Sequence, residues 1–163
     1  MYCHGVISGY ADNTFRPYNN TTRGQLSKIV VLAEGWTLQN PPTGHFTDVA
    51  PGSAFYVYIE TAYSHQIISG YADGTFRPNN NVTRGQLTKI IVLAQNWAIT
   101  PPSQPTFRDV PTTDPFYGYI ETAYSHQIIS GYTCGTGCLE FRPGNDATRG
   151  QISKIVYLAI TNP

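Results

Sequence analysis

The chain repeats itself with a period of 61 residues. Ser8-Gly9-Tyr10 returns as Ser69-Gly70-Tyr71 and again as Ser130-Gly131-Tyr132. Phe15-Arg16-Pro17 returns as Phe76-Arg77-Pro78 and Phe141-Arg142-Pro143, and Thr22-Arg23-Gly24-Gln25 as Thr83-Arg84-Gly85-Gln86 and Thr148-Arg149-Gly150-Gln151. Tyr58 to Tyr71 is copied unchanged at Tyr119 to Tyr132. A unit this short cannot bury its apolar face alone, so neighbouring units must share a core.

The units divide as 1–39, 46–100 and 107–163. The second and third have a front half and a back half. The first has only a back half, because Tyr2 to Ile7 aligns with Tyr63 to Ile68 and Met1 falls where Ala62 sits. The expectation is either a fragment of a longer chain or a partner that supplies the front helix.

Each front half reads as a helix. Phe55, Tyr58, Ile59, Ala62 and Tyr63 make one apolar stripe, ended near Ile68 by Ser69-Gly70. The loop Gly70 to Pro78 is rich in turn residues, and Arg77 is expected to be extended because it precedes Pro78. The back half is a second helix. Thr83 and Gln86 have the spacing of a capping box, and Leu87, Ile90, Ile91, Ala94 and Trp97 form its stripe. The reading is all-α, a series of helix–loop–helix repeats. The linkers at 40–44 and 100–105 are stiff, proline-rich spacers.

Charged residues are 12% of the chain and the net charge is zero, which argues against a nucleic-acid partner. No apolar run approaches the length of a membrane span. Cys134 and Cys138 arrive together in a four-residue insertion in the third unit's loop. A disulfide between them is expected, in an oxidising compartment. A metal site fits less well, since no histidine or second cysteine pair accompanies them. Cys3 is either a free thiol or a link to a residue outside the chain.

The unit resembles the S-layer homology domain. The resemblance rests on Phe46-x-Asp48-Val49, Tyr58-Ile59-Glu60-x-Ala62, Ile68-x-Gly70-Tyr71-x-Asp73-Gly74-Thr75-Phe76-Arg77-Pro78 and Val82-Thr83-Arg84. It implies a pseudo-threefold spindle of three prongs, with front helices in a central bundle and back helices radiating. It implies a non-catalytic module on the bacterial cell surface, anchoring a secreted protein to cell-wall polysaccharide that is often pyruvylated. No cofactor is implied.

The family's ligand motif is Thr-Arg-Ala-Glu, which places its arginine at Arg23, Arg84 and Arg149. Glycine and glutamine replace the alanine and glutamate, so the capping survives and the negative charge does not. A cation in the first turn opposes the helix dipole, and the threefold recurrence favours an anion clamp over an idle surface arginine. Trp36 and Trp97 are either inter-unit packing or platforms for sugar stacking. Arg16, Arg77 and Arg142 read as loop braces, Asp12 and Asp73 as turn closers, and His65 and His126 as helix-end hydrogen bonders. Glu60 and Glu121 are single carboxylates, not the pair that glycoside hydrolysis needs.

The alternative is a self-assembling subunit of a surface layer or extracellular filament, whose partners are copies of itself. On that reading the stripe Leu26, Ile29, Val30, Ala33 and Trp36 is an exposed assembly face.

Overall fold

A computed structural model describes residues 5–161. Cys3 therefore lies outside the described residues. Three back helices, α1 (Arg23–Ala33), α3 (Arg84–Ala94) and α5 (Arg149–Thr161), alternate with two front helices, α2 (Tyr56–Ser64) and α4 (Tyr117–Ser125). A two-stranded hairpin, β1 (Tyr132–Thr133) and β2 (Leu139–Glu140), interrupts the last loop.

The back helices begin where the sequence says. The Thr22 hydroxyl accepts from the Gln25 amide while the Gln25 side chain accepts from the Thr22 amide, and Thr83 with Gln86 repeats the exchange. They stop one turn earlier than their apolar stripes. Gly35 at φ 66° and Asn96 at φ 52° reverse the chain, so Trp36 and Trp97 lie beyond the helices. The front helices also end early. Gln66 at φ 59° and Gln127 at φ 60° turn the chain out before the isoleucine pair.

The main helix packing crosses the unit boundaries. α1 packs on α2 and α3 on α4, so each front helix covers the back helix of the preceding unit. This corrects the expected assembly face. Leu26, Ile29 and Val30 are buried, and Ala33 and Trp36 pack partly buried against the same core. The cover of α1 is α2, the front helix of the following unit. The centre also differs from the expectation, because α1, α3 and α5 pack on one another while α2 and α4 do not meet.

Three backbone hydrogen bonds close the units into a ring. The Thr21 amide donates to Ala147, the Ala147 amide to Val82, and the Val82 amide back to Thr21, at 3.1, 2.8 and 3.0 Å. Around it, the amides of Arg23, Arg84 and Arg149 donate to Asn80, Asn145 and Asn19, each from one unit to the next in cyclic order. These first-turn N–H groups have no partner inside their own helices, and the neighbouring loop supplies one.

The residue before proline is not extended. Arg16, Arg77 and Arg142 have φ of 54°, 59° and 62°. In the second and third loops a carboxylate fixes this geometry. Asp48 accepts from the amides of Phe76 and Arg77, both at 2.7 Å, and Asp109 accepts from Phe141 and Arg142 at the same distances. That is the work of the aspartate in Phe-x-Asp-Val. The Arg77 side chain lies over Tyr71 and reaches Asp73. Bonds from Thr75, then from Arg77, hold the exposed Asp73 carboxyl down to about 2. Its stabilising contribution is therefore present above the ordinary 3.8 and is lost as pH falls through about 2. A side-chain carboxyl titration followed by NMR should give a midpoint near the lower value. A midpoint at the ordinary value would mean the brace is absent in solution.

Glu60 and Glu121 are buried staples. Glu60 accepts from the His45 amide and meets its ring, and Glu121 accepts from the amide and hydroxyl of Thr106. Tyr56 and Tyr117 donate to Pro41 and Pro102, so the front helices tie down the linkers.

Cys134 and Cys138 form a disulfide across the hairpin, with Cα atoms 5.1 Å apart. Closing so small a loop contributes about 2 kcal/mol by the chain-entropy relation. Replacing both cysteines by serine should lower the thermal midpoint by roughly 4–8 °C. An unchanged midpoint would show that the insertion needs no covalent closure.

Candidate ligand grooves

Three grooves recur, one per unit. The floors of the second and third are the Ile-Ile-Ser-Gly-Tyr runs that lead out of the front half, and Val6-Ile7-Ser8 takes that place in the first. The first is lined by Ser8, Gln25, Lys28, Phe55 and Arg149, the second by Ser69, Tyr71, Gln86, Lys89, Phe116 and Arg23, and the third by Ser130, Tyr132, Gln151, Lys154 and Arg84. The polar groups come from two units. The arginine comes from the preceding back helix in cyclic order, and the glutamine and lysine from the unit's own. Gln and Lys stand three apart on the helix, so they share a face.

The arginines are held hard. Arg23 donates through Nε to Phe76 at 2.8 Å and through Nη2 to Ser69 at 3.1 Å. Arg149 does the same to Phe15 and Ser8, at 3.0 and 2.8 Å. Arg84 donates through Nε to Phe141 at 2.9 Å, and its η nitrogens have no protein acceptor among the described residues. Each guanidinium also lies over the phenylalanine whose carbonyl it binds, at 4.3, 4.3 and 4.8 Å. This answers the helix-dipole puzzle. The side chains reach across to carbonyls of the next loop rather than staying over their own amides. Burial draws the Arg23 and Arg84 guanidinium groups below the usual arginine range, opposed by the nearby Tyr71 and Asp48, and by Tyr132 and Asp109. An arginine stays charged through such a change.

The sequence-level candidates divide. The three arginines come to the grooves. The tryptophans do not line them. Trp36 stacks on His65 at 3.7 Å and Trp97 on His126 at 3.8 Å, both nearly parallel. The lysines were missed as site residues. Their signal was in plain view, because Lys28, Lys89 and Lys154 are the chain's only lysines and occupy one repeat position. Lys28 and Lys89 extend over Tyr58 and Tyr119 of the covering front helices. No aspartate or glutamate lines any of the three grooves. Among the described residues there is no cluster of histidine, cysteine or carboxylates fit to hold a metal, and no helix long and apolar enough to cross a membrane.

The S-layer homology domain matches three times, at residues 1–27, 45–88 and 106–152. The chain belongs to the S-layer homology domain family. An endoglucanase of Bacillus sp. (strain KSM-635) is 30% identical over 162 residues, covering 96% of this chain and 16% of that protein. Cell surface glycoprotein 1 of Acetivibrio thermocellus is 27% identical over 168 residues, covering 94% of this chain and 7% of that protein. Middle cell wall protein of Brevibacillus brevis is 26% identical over 160 residues, 96% of this chain and 13% of that protein. The chain thus spans less than a fifth of each of these relatives. The S-layer homology domain is a non-catalytic anchoring module, and the chain belongs at the cell surface in association with the wall.

Proposed function

We propose that the three grooves bind an anionic polysaccharide of the cell wall and so hold the polypeptide that carries them, without catalysis of their own. The observation that carries this is the charge pattern. A chain of zero net charge puts all its lysines, each beside an arginine, into three repeated grooves that no carboxylate lines. In this reading the lysine is the mobile point charge, while the arginine presents its remaining N–H groups from a fixed position. A pyruvylated sugar suits the site, offering one carboxylate to a lysine and arginine pair and hydroxyls to serine and glutamine. A pseudo-threefold arrangement belongs to the same proposal, with equivalent grooves placed around the Thr21–Val82–Ala147 ring.

The test is the lysines, of which Lys28 and Lys89 are half-buried and Lys154 is exposed. Lys28→Ala, Lys89→Ala and Lys154→Ala should each weaken binding to purified anionic wall polysaccharide. The charge-assisted contact is worth roughly 1.5–3 kcal/mol, or about ten- to a hundredfold at a single groove. Binding should also fall with added salt, and Arg77→Ala should leave it unchanged. Full binding by the triple lysine variant would overturn the proposal, as would a folded wild-type chain that ignores the anionic polymer.

A further inference from the structure

The third loop is closed by different chemistry from the first two. In those, an aspartate two places after the tyrosine of Ser-Gly-Tyr does two jobs. Asp12 accepts from the amide and hydroxyl of Thr14, which closes the loop, and it braces Arg16. Asp73 does the same with Thr75 and Arg77. In the third loop Cys134 stands at the aspartate's place, and the two jobs are divided. Glu140 braces Arg142 and also meets Arg108, while the closing falls to the Cys134–Cys138 disulfide.

That closure bears on the third groove through Tyr132. The disulfide ends the short ladder in which Tyr132 is paired with Glu140, and the Cys134 amide donates to the Cys138 carbonyl at 3.1 Å. The Tyr132 hydroxyl accepts from the Gln151 side chain at 3.0 Å, and among the described residues no such bond joins Gln86 to Tyr71. Arg84 leans on the same ring. Arg23 and Arg149 each tie an η nitrogen to a serine carbonyl. Beyond its Nε bond, the Arg84 guanidinium is located by the faces of Phe141 and Tyr132, at 4.3 and 5.1 Å. Its η nitrogens have no protein acceptor, yet they are not sealed in. The fully buried side-chain atoms that lack a partner among the described residues are the Thr21 and Thr122 hydroxyls alone. The η nitrogens therefore open onto the groove.

We infer that the Cys134–Cys138 disulfide is a redox lock on the third groove, holding Tyr132, Gln151 and Arg84 in the arrangement that takes an anion, so that a dithiol loosens that groove alone. This rests on the reading of the grooves as anion sites. The step is thiol–disulfide exchange. A thiolate of the dithiol attacks one sulfur and the bond between the two cysteines breaks. The dithiol's second sulfur then resolves the mixed disulfide. The chain gains two electrons and two protons as two thiols, and the dithiol leaves as its cyclic disulfide. The sulfurs are within reach, since both cysteines are half-buried and the turn at 135–137 is exposed. The first two loops are closed by carboxylates, which a dithiol does not touch. The opened hairpin keeps its Glu140 brace, so it loosens without the unit coming apart. Tyr132 must then be ordered afresh at each binding event, a loss of about three- to tenfold for one side chain.

The experiment silences the grooves in turn. A chain with Lys28→Ala and Lys89→Ala keeps the third groove, and one with Lys154→Ala keeps the first two. Each is titrated with purified anionic wall polysaccharide before and after dithiothreitol, at a temperature where circular dichroism shows both forms folded and with free thiols counted by mass spectrometry. The first chain should weaken about three- to tenfold on reduction and recover on reoxidation. The second should not change. Cys134→Ser with Cys138→Ser, added to the first chain, should bind as weakly as the reduced form and ignore the dithiol. A readout free of ligand is the NMR spectrum, in which the Gln151 side-chain amide and the Arg84 Nε–H should shift on reduction while those of Gln86 and Arg23 stay. Complete reduction with unchanged third-groove binding would overturn the inference. So would an equal loss in both chains, because reduction would then act on the whole fold. An oxidised wild-type chain that ignores the polysaccharide would overturn the anion reading and this inference together, whereas one that binds it but is indifferent to reduction would overturn this inference alone.

Discussion

Phe107→Ala is expected to cost about 3–5 kcal/mol, the range for emptying a fully buried aromatic site. Phe107 is completely buried, sits edge-on to Tyr124 and tilted to Phe141, and closes the space over Gly131. Its loss leaves three elements without a common contact. Set against the whole stability of a small domain, about 5–15 kcal/mol, that is a large fraction. Urea unfolding at constant slope measures it. The internal control is Phe15→Ala, since Phe15 holds the matching place in the first loop and is only half-buried. A loss at Phe15 as large as at Phe107 would contradict the packing described.

Arg84→Ala is expected to cost about 2–5 kcal/mol of folding stability. It removes a charged hydrogen bond to Phe141, worth roughly 1.5–3, and a guanidinium lying on that ring, worth about 0.5–2. It also leaves a carbonyl without its donor. Arg77→Ala should cost at most about 1 kcal/mol, because its partner Asp73 is exposed and screened. Arg84→Lys should not rescue the loss, since an ammonium cannot present an Nε in the plane of the ring. Equal losses at both positions would show that the inter-unit clamp is idle. The comparison also guards the functional test. A binding defect in Arg84→Ala mixes lost contact with lost fold, whereas Lys154→Ala, at an exposed lysine, isolates the contact.

The local rules were legible where they depended on a few adjacent residues. Thr22 with Gln25 and Thr83 with Gln86 form the capping boxes their spacing announces. The repeat itself announced two helices per full unit. What the sequence could not reveal was which helix packs on which. A repeat unit reads as though its two halves pair with each other, and that reading put the unfilled place on Leu26 to Trp36. Packing is instead offset by half a unit, so α2 of the following unit covers that face. Arg77 failed for a similar reason. Its pre-proline preference for extended backbone is a local tendency, and Asp48, 29 residues away, overrides it by accepting two consecutive amides. In the grooves, the arginines stood out by motif, while the lysines needed the question of where a charge-poor chain spends its few cations.

The ring through Thr21, Val82 and Ala147 makes this array countable. In an open solenoid a repeat can be added or deleted, and the neighbours close up. Here each unit donates to one neighbour and accepts from the other, and the Thr21–Ala147 bond spans 126 residues of chain. Removing a unit does not shorten the structure by a third. It opens the circle and strands one set of first-turn amides on one side and one set of loop carbonyls on the other. A fourth unit has no place in the circle either. What the circle does not record is where the chain starts. Any polypeptide that threads the three units in the same cyclic order closes the same bonds, so permuted chains should converge on one architecture. Folding should wait on that longest closure, which makes it slower and more all-or-none than helical repeats of this size would otherwise be.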